Sequence, residues 1–192
     1  MAPSSTPSRG IRLLICVVAA LGFLFDNYEL TLLPLTIRSV LQELTGYLPG
    51  TPEYGKWAGR LLFVPACAGG LLGLLGGRLI DRFGRRRVLS YSILIYALSA
   101  FCVGFCTSIQ QFLVLRCVTV SAVYVEYVAA IAWLAEVFDQ PASAARALGY
   151  TQVFSSVGGL VAALVNSRFI HLAPHLPRIA LPQSLQVLFG AI

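Results

Sequence analysis

The charged residues of this chain are concentrated in one short stretch, Gly77-Arg-Leu-Ile-Asp-Arg-Phe-Gly-Arg-Arg-Arg87. It holds five of the fourteen cationic residues in the sequence. The runs on either side of it, residues 61–77 and 88–115, carry no charged side chain. A compact basic turn between two long apolar runs is typical of a tight loop that joins two membrane-spanning helices on one side of a bilayer.

The composition agrees with a membrane protein. The chain is 57% hydrophobic and 11% charged, with a mean hydropathy of +0.79, whereas soluble domains carry about 25% charged residues. Barrel strands alternate polar and apolar residues over roughly 10 positions, and this chain has long uniform apolar runs instead, so we predict an all-α membrane protein. We assign the net charge of +6 to loops that set orientation, which leaves no case for a nucleic-acid partner.

The apolar runs predict five full spans and the beginning of a sixth. We expect a cytoplasmic tail over residues 1–10 and a transmembrane bundle over residues 11–192. Loops rich in Pro, Gly and charge separate the runs, which places the spans at about 11–37, 57–80, 88–106, 110–138 and 144–166, with a truncated one at 184–192.

The distribution of basic residues predicts the orientation. The expected loops hold eight Arg or Lys on the side of the basic stretch and five on the other side, which favours a cytoplasmic N-terminus. Thirteen arginines against one lysine favour a GC-rich, bacterial coding sequence. We therefore expect a multi-pass protein of the bacterial inner membrane.

Three acids lie well away from the ends of the predicted spans: Asp26 and Glu29 in the first, and Glu126 in the fourth. A charge at the bilayer centre costs about 2.5–3.5 kcal/mol on insertion scales, so these side chains must face a bundle interior or wet cavity, be paired, or be protonated. Asp26 and Glu29 share a helical face, and two close carboxyl groups in a low dielectric suit a reversible proton carrier. The alternative is an ion pair with Arg116 that joins spans one and four structurally. Arg116 itself has a second alternative role, the binding of an anionic substrate.

Uncharged polar and small residues recur at helical spacing in span five. Gln152, Ser155 or Ser156, and Gly159 share one face, which predicts either a cavity wall or hydrogen-bonded contacts between helices. Gly158-Gly159 is expected to be a close-packing site.

Glycines also recur in span two, where Gly69, Gly73 and Gly77 predict a face that another helix approaches closely. Three aromatic residues of span four either line a pocket near Glu126 or simply pack: Tyr124, Tyr127 and Trp133.

The sequence does not indicate an enzyme, a cofactor or a metal site. It contains no phosphate-binding glycine loop followed by Lys-Ser or Lys-Thr, and no nucleophile and base stand out together. All five cysteines fall inside apolar runs and are expected to act as small hydrophobic residues. His171 and His175 lie four apart in an outer loop, and we do not expect them to bind a metal.

The basic stretch resembles the loop between the second and third helices of the major facilitator superfamily, whose pattern is Gly-x-Leu-x-Asp-Arg-x-Gly-Arg-Arg. Every defined position of that pattern is met, and the residues concerned include Gly77, Asp81, Arg82, Gly84, Arg85 and Arg86.

The fourth span supports this resemblance. Arg116 is followed by Glu126-Tyr127 and then by Ala135-Glu136 at steps of ten residues, which is similar to the fourth helix of metabolite:proton, aromatic acid:proton and phosphate:proton symporters and of sugar porters. Asp26 resembles a residue of their first helix, and residues 146–149 resemble the start of their fifth. Glu136 is expected to pair with an arginine of a cytoplasmic loop.

The resemblance implies a fold and a mechanism. Members have two six-helix halves that rock about a substrate site near the midplane, so this chain would supply the N-terminal half and would need a C-terminal half or a second chain. Asp81, Arg82 and Arg86 would belong to a gating latch, whereas Asp26 and Glu126 would serve proton coupling or substrate contact. The Gly-Pro-rich signature of antiporters is absent from span five, which favours symport or uniport.

Three functional hypotheses follow. The leading one is a secondary active transporter of a small organic solute, coupled to protons and working by alternating access. The second is a non-transporting or truncated half-transporter that acts only as an assembly partner in the membrane. The third, a five-helix membrane protein of unrelated role, is disfavoured by the basic loop.

Overall fold

The computed structural model describes residues 9–138 and 140–172, and the regular structure in that part of the chain is entirely helical. All five described helices are long and apolar enough to cross a membrane, which confirms the prediction of an all-α membrane protein. The predicted span over residues 184–192 and most of the predicted tail over residues 1–10 lie outside the described residues. The helices are α1 (Arg9–Thr45), α2 (Pro52–Phe83), α3 (Arg85–Val103), α4 (Ile109–Val137) and α5 (Pro141–Leu172).

The first helix continues well past the predicted span of residues 11–37. It has 37 residues and ends at Thr45, which corresponds to about 55 Å at 1.5 Å per residue, against a hydrocarbon core of about 30 Å. The helix is therefore longer than the hydrocarbon core, and its extension beyond residue 37 carries the polar side chains that ended the predicted span. Gly46 stops the helix with a φ of 72° and donates its N–H to the Gln42 carbonyl at 3.0 Å.

Two side-chain caps fix where the next helices begin. The Thr51 hydroxyl accepts a hydrogen bond of 3.3 Å from the Tyr54 amide, so α2 starts at Pro52 and not at residue 57. The Ser108 hydroxyl accepts one of 3.3 Å from the Gln111 amide and starts α4 in the same way. Such caps satisfy backbone donors that have no partner within the helix.

The fourth helix forms the centre of the bundle. In the most apolar 18-residue segment of α4, 56% of the residues are buried, against 11–17% in the corresponding segments of the other four helices. α2 and α3 both pack along α4, α1 packs along α5, and contacts between α1 and α4 join the two groups. The outer faces of α1, α2, α3 and α5 expose many large apolar side chains, as expected for surfaces in contact with lipid.

Glycines allow α2 to approach α4 closely. A Cβ built on Gly69 would lie 2.9 Å from Cδ2 of Tyr124, and one on Gly73 would lie 3.4 Å from Cβ of the same tyrosine. The prediction is wrong for Gly77. That residue is exposed, and a Cβ built on it would have no neighbour within 4 Å, whereas Gly76 faces α4. Each four-residue step advances about 400° around a helix of 3.6 residues per turn, which is about 40° more than a full turn. Glycines spaced by four residues therefore move gradually away from the contact face.

Gly158 marks the closest approach between α1 and α5. A Cβ at this position would collide with the Leu24 carbonyl oxygen and lie 3.2 Å from the Tyr28 backbone nitrogen. Two hydrogen bonds hold the helices together beside it: the Asn27 side-chain amide donates to the Ser155 carbonyl at 2.7 Å, and the Ser155 hydroxyl donates to the Phe23 carbonyl at 3.0 Å. The close-packing interpretation is confirmed for Gly158, whereas a Cβ on Gly159 would meet only side-chain atoms of Thr31 and Asn27.

Candidate functional site

Two buried carboxyl groups meet between α1 and α4. Asp26 and Glu126 are each 4% exposed, and Glu126 lies within electrostatic reach of Asp26. Gly22 leaves space for the second acid, since a Cβ built there would lie 3.6 Å from Oε1 of Glu126. The sequence placed these acids in spans one and four, and the structure brings them together.

Three of the four oxygen atoms of this carboxyl pair have no hydrogen-bond partner among the described residues. They are both carboxyl oxygens of Asp26 and Oε2 of Glu126. An ionised carboxylate in such a setting is strongly destabilised unless it gains a counter-charge or hydrogen bonds. The pair can therefore accept a proton, or a donor group of a bound solute, and would lose it with a change of environment.

Glu29 plays a different part from Asp26, although it lies only one turn further along α1. It forms an ion pair with Arg116, and its backbone carbonyl accepts a second hydrogen bond of 2.8 Å from the same guanidinium group. The side chains of Arg116 and Glu29 are 6% and 15% exposed. The alternative of a structural ion pair between spans one and four therefore applies to Glu29. Nε of Arg116 is buried without a partner among the described residues.

An aromatic and amide group lies beside the carboxyl pair, on the side of α5. The Gln152 amide donates to the Tyr127 hydroxyl at 2.7 Å, and the Tyr127 ring packs against Phe23 with ring centres 4.9 Å apart. Gln152 and Tyr127 thus meet next to Glu126. Tyr124 instead packs against the α2 glycines on another face of α4, and Ser155 is used in the contact between α1 and α5.

Tyr96 of α3 is the residue near the site that the sequence analysis missed. It is half-buried and lies within electrostatic reach of Glu126, Asp26 and Glu29. The sequence does contain a signal for it, because Ser92, Tyr96 and Ser99 recur at helical spacing and share one face of α3. The last of these meets Thr119 of α4 in a buried hydroxyl–hydroxyl hydrogen bond of 2.8 Å.

The basic loop is almost entirely helical and turns at Gly84. This residue has φ 83° and ψ 143°, a conformation open in practice to glycine alone, and its N–H donates to the Ile80 carbonyl at 2.9 Å. Arg85 forms an ion pair with Glu136 and donates to the Ala132 carbonyl at 3.3 Å. The expected pairing of Glu136 with a loop arginine is therefore confirmed.

The other residues assigned to the loop signature make fewer contacts. Gly77, Asp81, Arg82 and Arg86 are exposed, and the Arg82 guanidinium lies 5.6 Å from the centre of the neighbouring Phe83 ring. The described residues thus bring one loop arginine onto α4 and leave the remaining charged groups at the surface.

No three His, Cys, Asp or Glu side chains converge on a metal-sized site within the described part of the chain. The His171 and His175 side chains fall outside the described set. A groove of about 1020 Å³ opens between α1 and α5, and neither Asp26 nor Glu126 is among its lining residues.

Comparison with known proteins identifies the family. The family model "Major Facilitator Superfamily" matches residues 15–176. The chain belongs to the major facilitator superfamily. It is therefore a multi-pass integral membrane protein of a transporter family, as the loop signature and the fourth helix indicated.

Two known proteins resemble the chain. The chain is 31% identical over 149 residues to the Bacillus subtilis (strain 168) protein named "Putative niacin/nicotinamide transporter NiaP", with 78% of the chain and 35% of that protein covered. It also resembles the inward-open structure of the xylose transporter XylE from E. coli, with a TM-score of 0.69, 19% identity, and coverage of 94% of the chain and 43% of XylE. The second likeness shows the fold alone, and the chain spans between a third and a half of the length of these relatives.

Proposed function

We propose that this chain forms the N-terminal half of a secondary active transporter that moves a small organic solute together with protons by alternating access. The observation that carries the proposal is the buried Asp26–Glu126 pair between α1 and α4, which lacks partners in a member of a transporter family. Transporters of this kind bind their solute near the midplane between two halves. A C-terminal half or a second chain would complete the cavity.

Proton coupling follows from the chemistry of the pair. A coupling group must alternate between a neutral form that crosses the membrane and a charged form that is stabilised only when the site opens to water or holds its solute. Asp26 and Glu126 meet these requirements, because they are buried and adjacent and are not locked into an ion pair. Glu29 does not, since Arg116 holds it.

The surrounding side chains suit a flat, polar-edged solute. Tyr127 offers an aromatic ring, Gln152 offers an amide, and Arg116 offers a guanidinium whose Nε has no hydrogen-bond partner among the described residues. A carboxylate or carboxamide on an aromatic ring would match these groups. Niacin and nicotinamide are therefore the first solutes to test, in keeping with the description of the Bacillus subtilis relative.

We further propose that the basic loop lies in the cytoplasm and serves as a latch. Arg85 and Glu136 tie the loop to α4 within this half, while Asp81, Arg82 and Arg86 are exposed and free to meet a facing half. A cytoplasmic loop also places the N-terminus in the cytoplasm, by the excess of Arg and Lys on that side, and a bacterial inner membrane remains the proposed location.

The test is uptake into proteoliposomes by the protein expressed from its complete gene. An inward proton gradient should drive niacin or nicotinamide above its outside concentration, and a protonophore should abolish that accumulation while leaving equilibration intact. Accumulation that ignores the protonophore would contradict proton coupling. If no solute from a panel of aromatic acids and sugars equilibrates faster than in empty liposomes, the result would favour the alternative of a non-transporting assembly partner over a transporter.

A further inference from the structure

A second groove lies on the outside of the bundle, away from the carboxyl pair. α2 and α3 both pack along α4 but touch each other little, so a groove of about 740 Å³ opens between them with α4 as its floor. Its floor and lower walls are buried small or apolar side chains, among them Val88 and Ala122, and its rims are exposed apolar ones, among them Leu72 and Ile95.

The length of this groove matches one leaflet of a bilayer. It begins beside the basic loop at Arg87 and reaches Ile95 along α3, and it runs from Phe83 to Ala68 along α2. At 1.5 Å per residue these separations are about 12 Å and 22 Å. Half of a hydrocarbon core that is roughly 30 Å thick is about 15 Å, so the groove has the depth of a single layer of acyl chains.

The mouth of the groove is positively charged. Arg87 lines it and has no hydrogen-bond or ion-pair partner among the described residues, and the exposed Tyr91 hydroxyl lies one turn further along the same helix. No acidic side chain is among the lining residues of this groove. Glu136, the acid of α4 at the level of the basic loop, is already paired with Arg85.

We propose that this groove, defined by the lining residues of α2, α3 and α4, is a binding site for an anionic phospholipid. The phosphate group would bind Arg87 at the level of the basic loop, and one acyl chain would lie along the apolar floor. Basic side chains at the end of an apolar groove between helices are the arrangement that recognises acidic lipid headgroups. A zwitterionic lipid fits the apolar part equally well, but its headgroup carries no net charge for the arginine.

The site is separate from the carboxyl pair. On α4 the groove uses Val118 and Val125, whereas the pair uses Glu126 and its partner helix α1. At 3.6 residues per turn, the centre of the α4 residues that line the groove is about 110° away from Glu126 around the helix. Lipid binding would therefore act on the packing of α2 and α3 against α4, and not by direct contact with a transported solute.

A tryptophan at position 95 tests the proposal, since Ile95 is exposed in the middle of the groove. The Ile95→Trp protein is reconstituted in phosphatidylcholine bilayers that contain a minor fraction of brominated phosphatidylglycerol or brominated phosphatidylcholine. Fluorescence quenching is compared with that of the protein without the substitution, in which Trp57 and Trp133 give the background. Arg87→Gln and Arg78→Gln are then added separately, because both remove one exposed positive charge but only Arg87 lines the groove.

We expect phosphatidylglycerol to compete for the groove about fivefold better than phosphatidylcholine, the contribution of one arginine close to an anionic headgroup. Arg87→Gln should bring that ratio near one, and Arg78→Gln should leave it unchanged. Equal quenching by the two lipids would overturn the proposal. So would an equal loss in both variants, which would indicate general attraction to the basic loop, or an absence of quenching by either lipid, which would indicate a covering protein.

Discussion

Replacing Gly158 by alanine should separate α1 from α5. The new Cβ would meet the Leu24 carbonyl oxygen and carbon and the Tyr28 backbone nitrogen, the last two at 3.0 and 3.2 Å. These are backbone atoms of a helix, so they cannot rotate away as a side chain would. The helices must move apart, and the two hydrogen bonds of Ser155 to α1 must lengthen.

The expected loss follows from these contacts. Overpacking of a closely packed contact costs about 1–3 kcal/mol, and weakening two interhelical hydrogen bonds at about 0.6 kcal/mol each adds roughly 1 kcal/mol. Alanine recovers at most about 1 kcal/mol through its higher helix propensity. The net destabilisation should be about 2 kcal/mol, which corresponds to a fall in Tm of about 4–8 °C for a chain of this size.

Thermal unfolding in a mild detergent measures this effect, with two matched controls on the same helix. Gly149→Ala meets no atom within 4 Å, and Gly159→Ala meets only side-chain atoms of Thr31 and Asn27, at 3.4 and 3.7 Å. Both should unfold at or slightly above the temperature of the unsubstituted protein. A Gly158→Ala protein as stable as the Gly149→Ala protein would refute the close backbone contact between α1 and α5.

Two further substitutions probe the contacts of α4. Glu29→Gln leaves Arg116 buried without its counter-charge and should destabilise the protein by about 3 kcal/mol in denaturant titrations. Adding Arg116→Met should restore most of that loss. If the single variant were as stable as the double variant, the buried ion pair would be contradicted. Gly69→Ala places its Cβ 2.9 Å from the Tyr124 ring and should lower stability by about 1 kcal/mol, whereas Gly70→Ala, with open space around it, should not; equal unfolding temperatures for the two would argue against the contact.

The features that could be predicted from the sequence are those set by local chemistry. Apolar runs of spanning length produce helices wherever they occur in lipid, so the number of described spans followed from hydropathy alone. The turn at Gly84 was marked by the glycine in the basic loop, since the conformation there excludes other residues. Gly158 was marked in the same way, because only a missing side chain allows two helix backbones to touch.

The features that could not be predicted depend on how each helix is rotated about its axis and how far it is shifted along it. Asp26 and Glu29 lie one turn apart on α1, and either could have paired with Arg116; the small shift along the helix that selects Glu29 is set by packing against α4 and leaves no trace in the spacing. Helix ends were also missed, because hydropathy reports where an apolar segment ends and not where the helix does. α1 shows this, because it continues for about two turns beyond residue 37.

Transport by an Asp26→Asn protein tests the central claim most directly, with Glu43→Gln as the matched control from an exposed position on the same helix. Each variant is reconstituted and assayed for accumulation driven by a proton gradient and for exchange of labelled against unlabelled solute. Loss of accumulation with exchange retained in Asp26→Asn, and both activities retained in Glu43→Gln, is the result we predict. Undiminished uphill accumulation by Asp26→Asn would show that the coupling proton binds elsewhere.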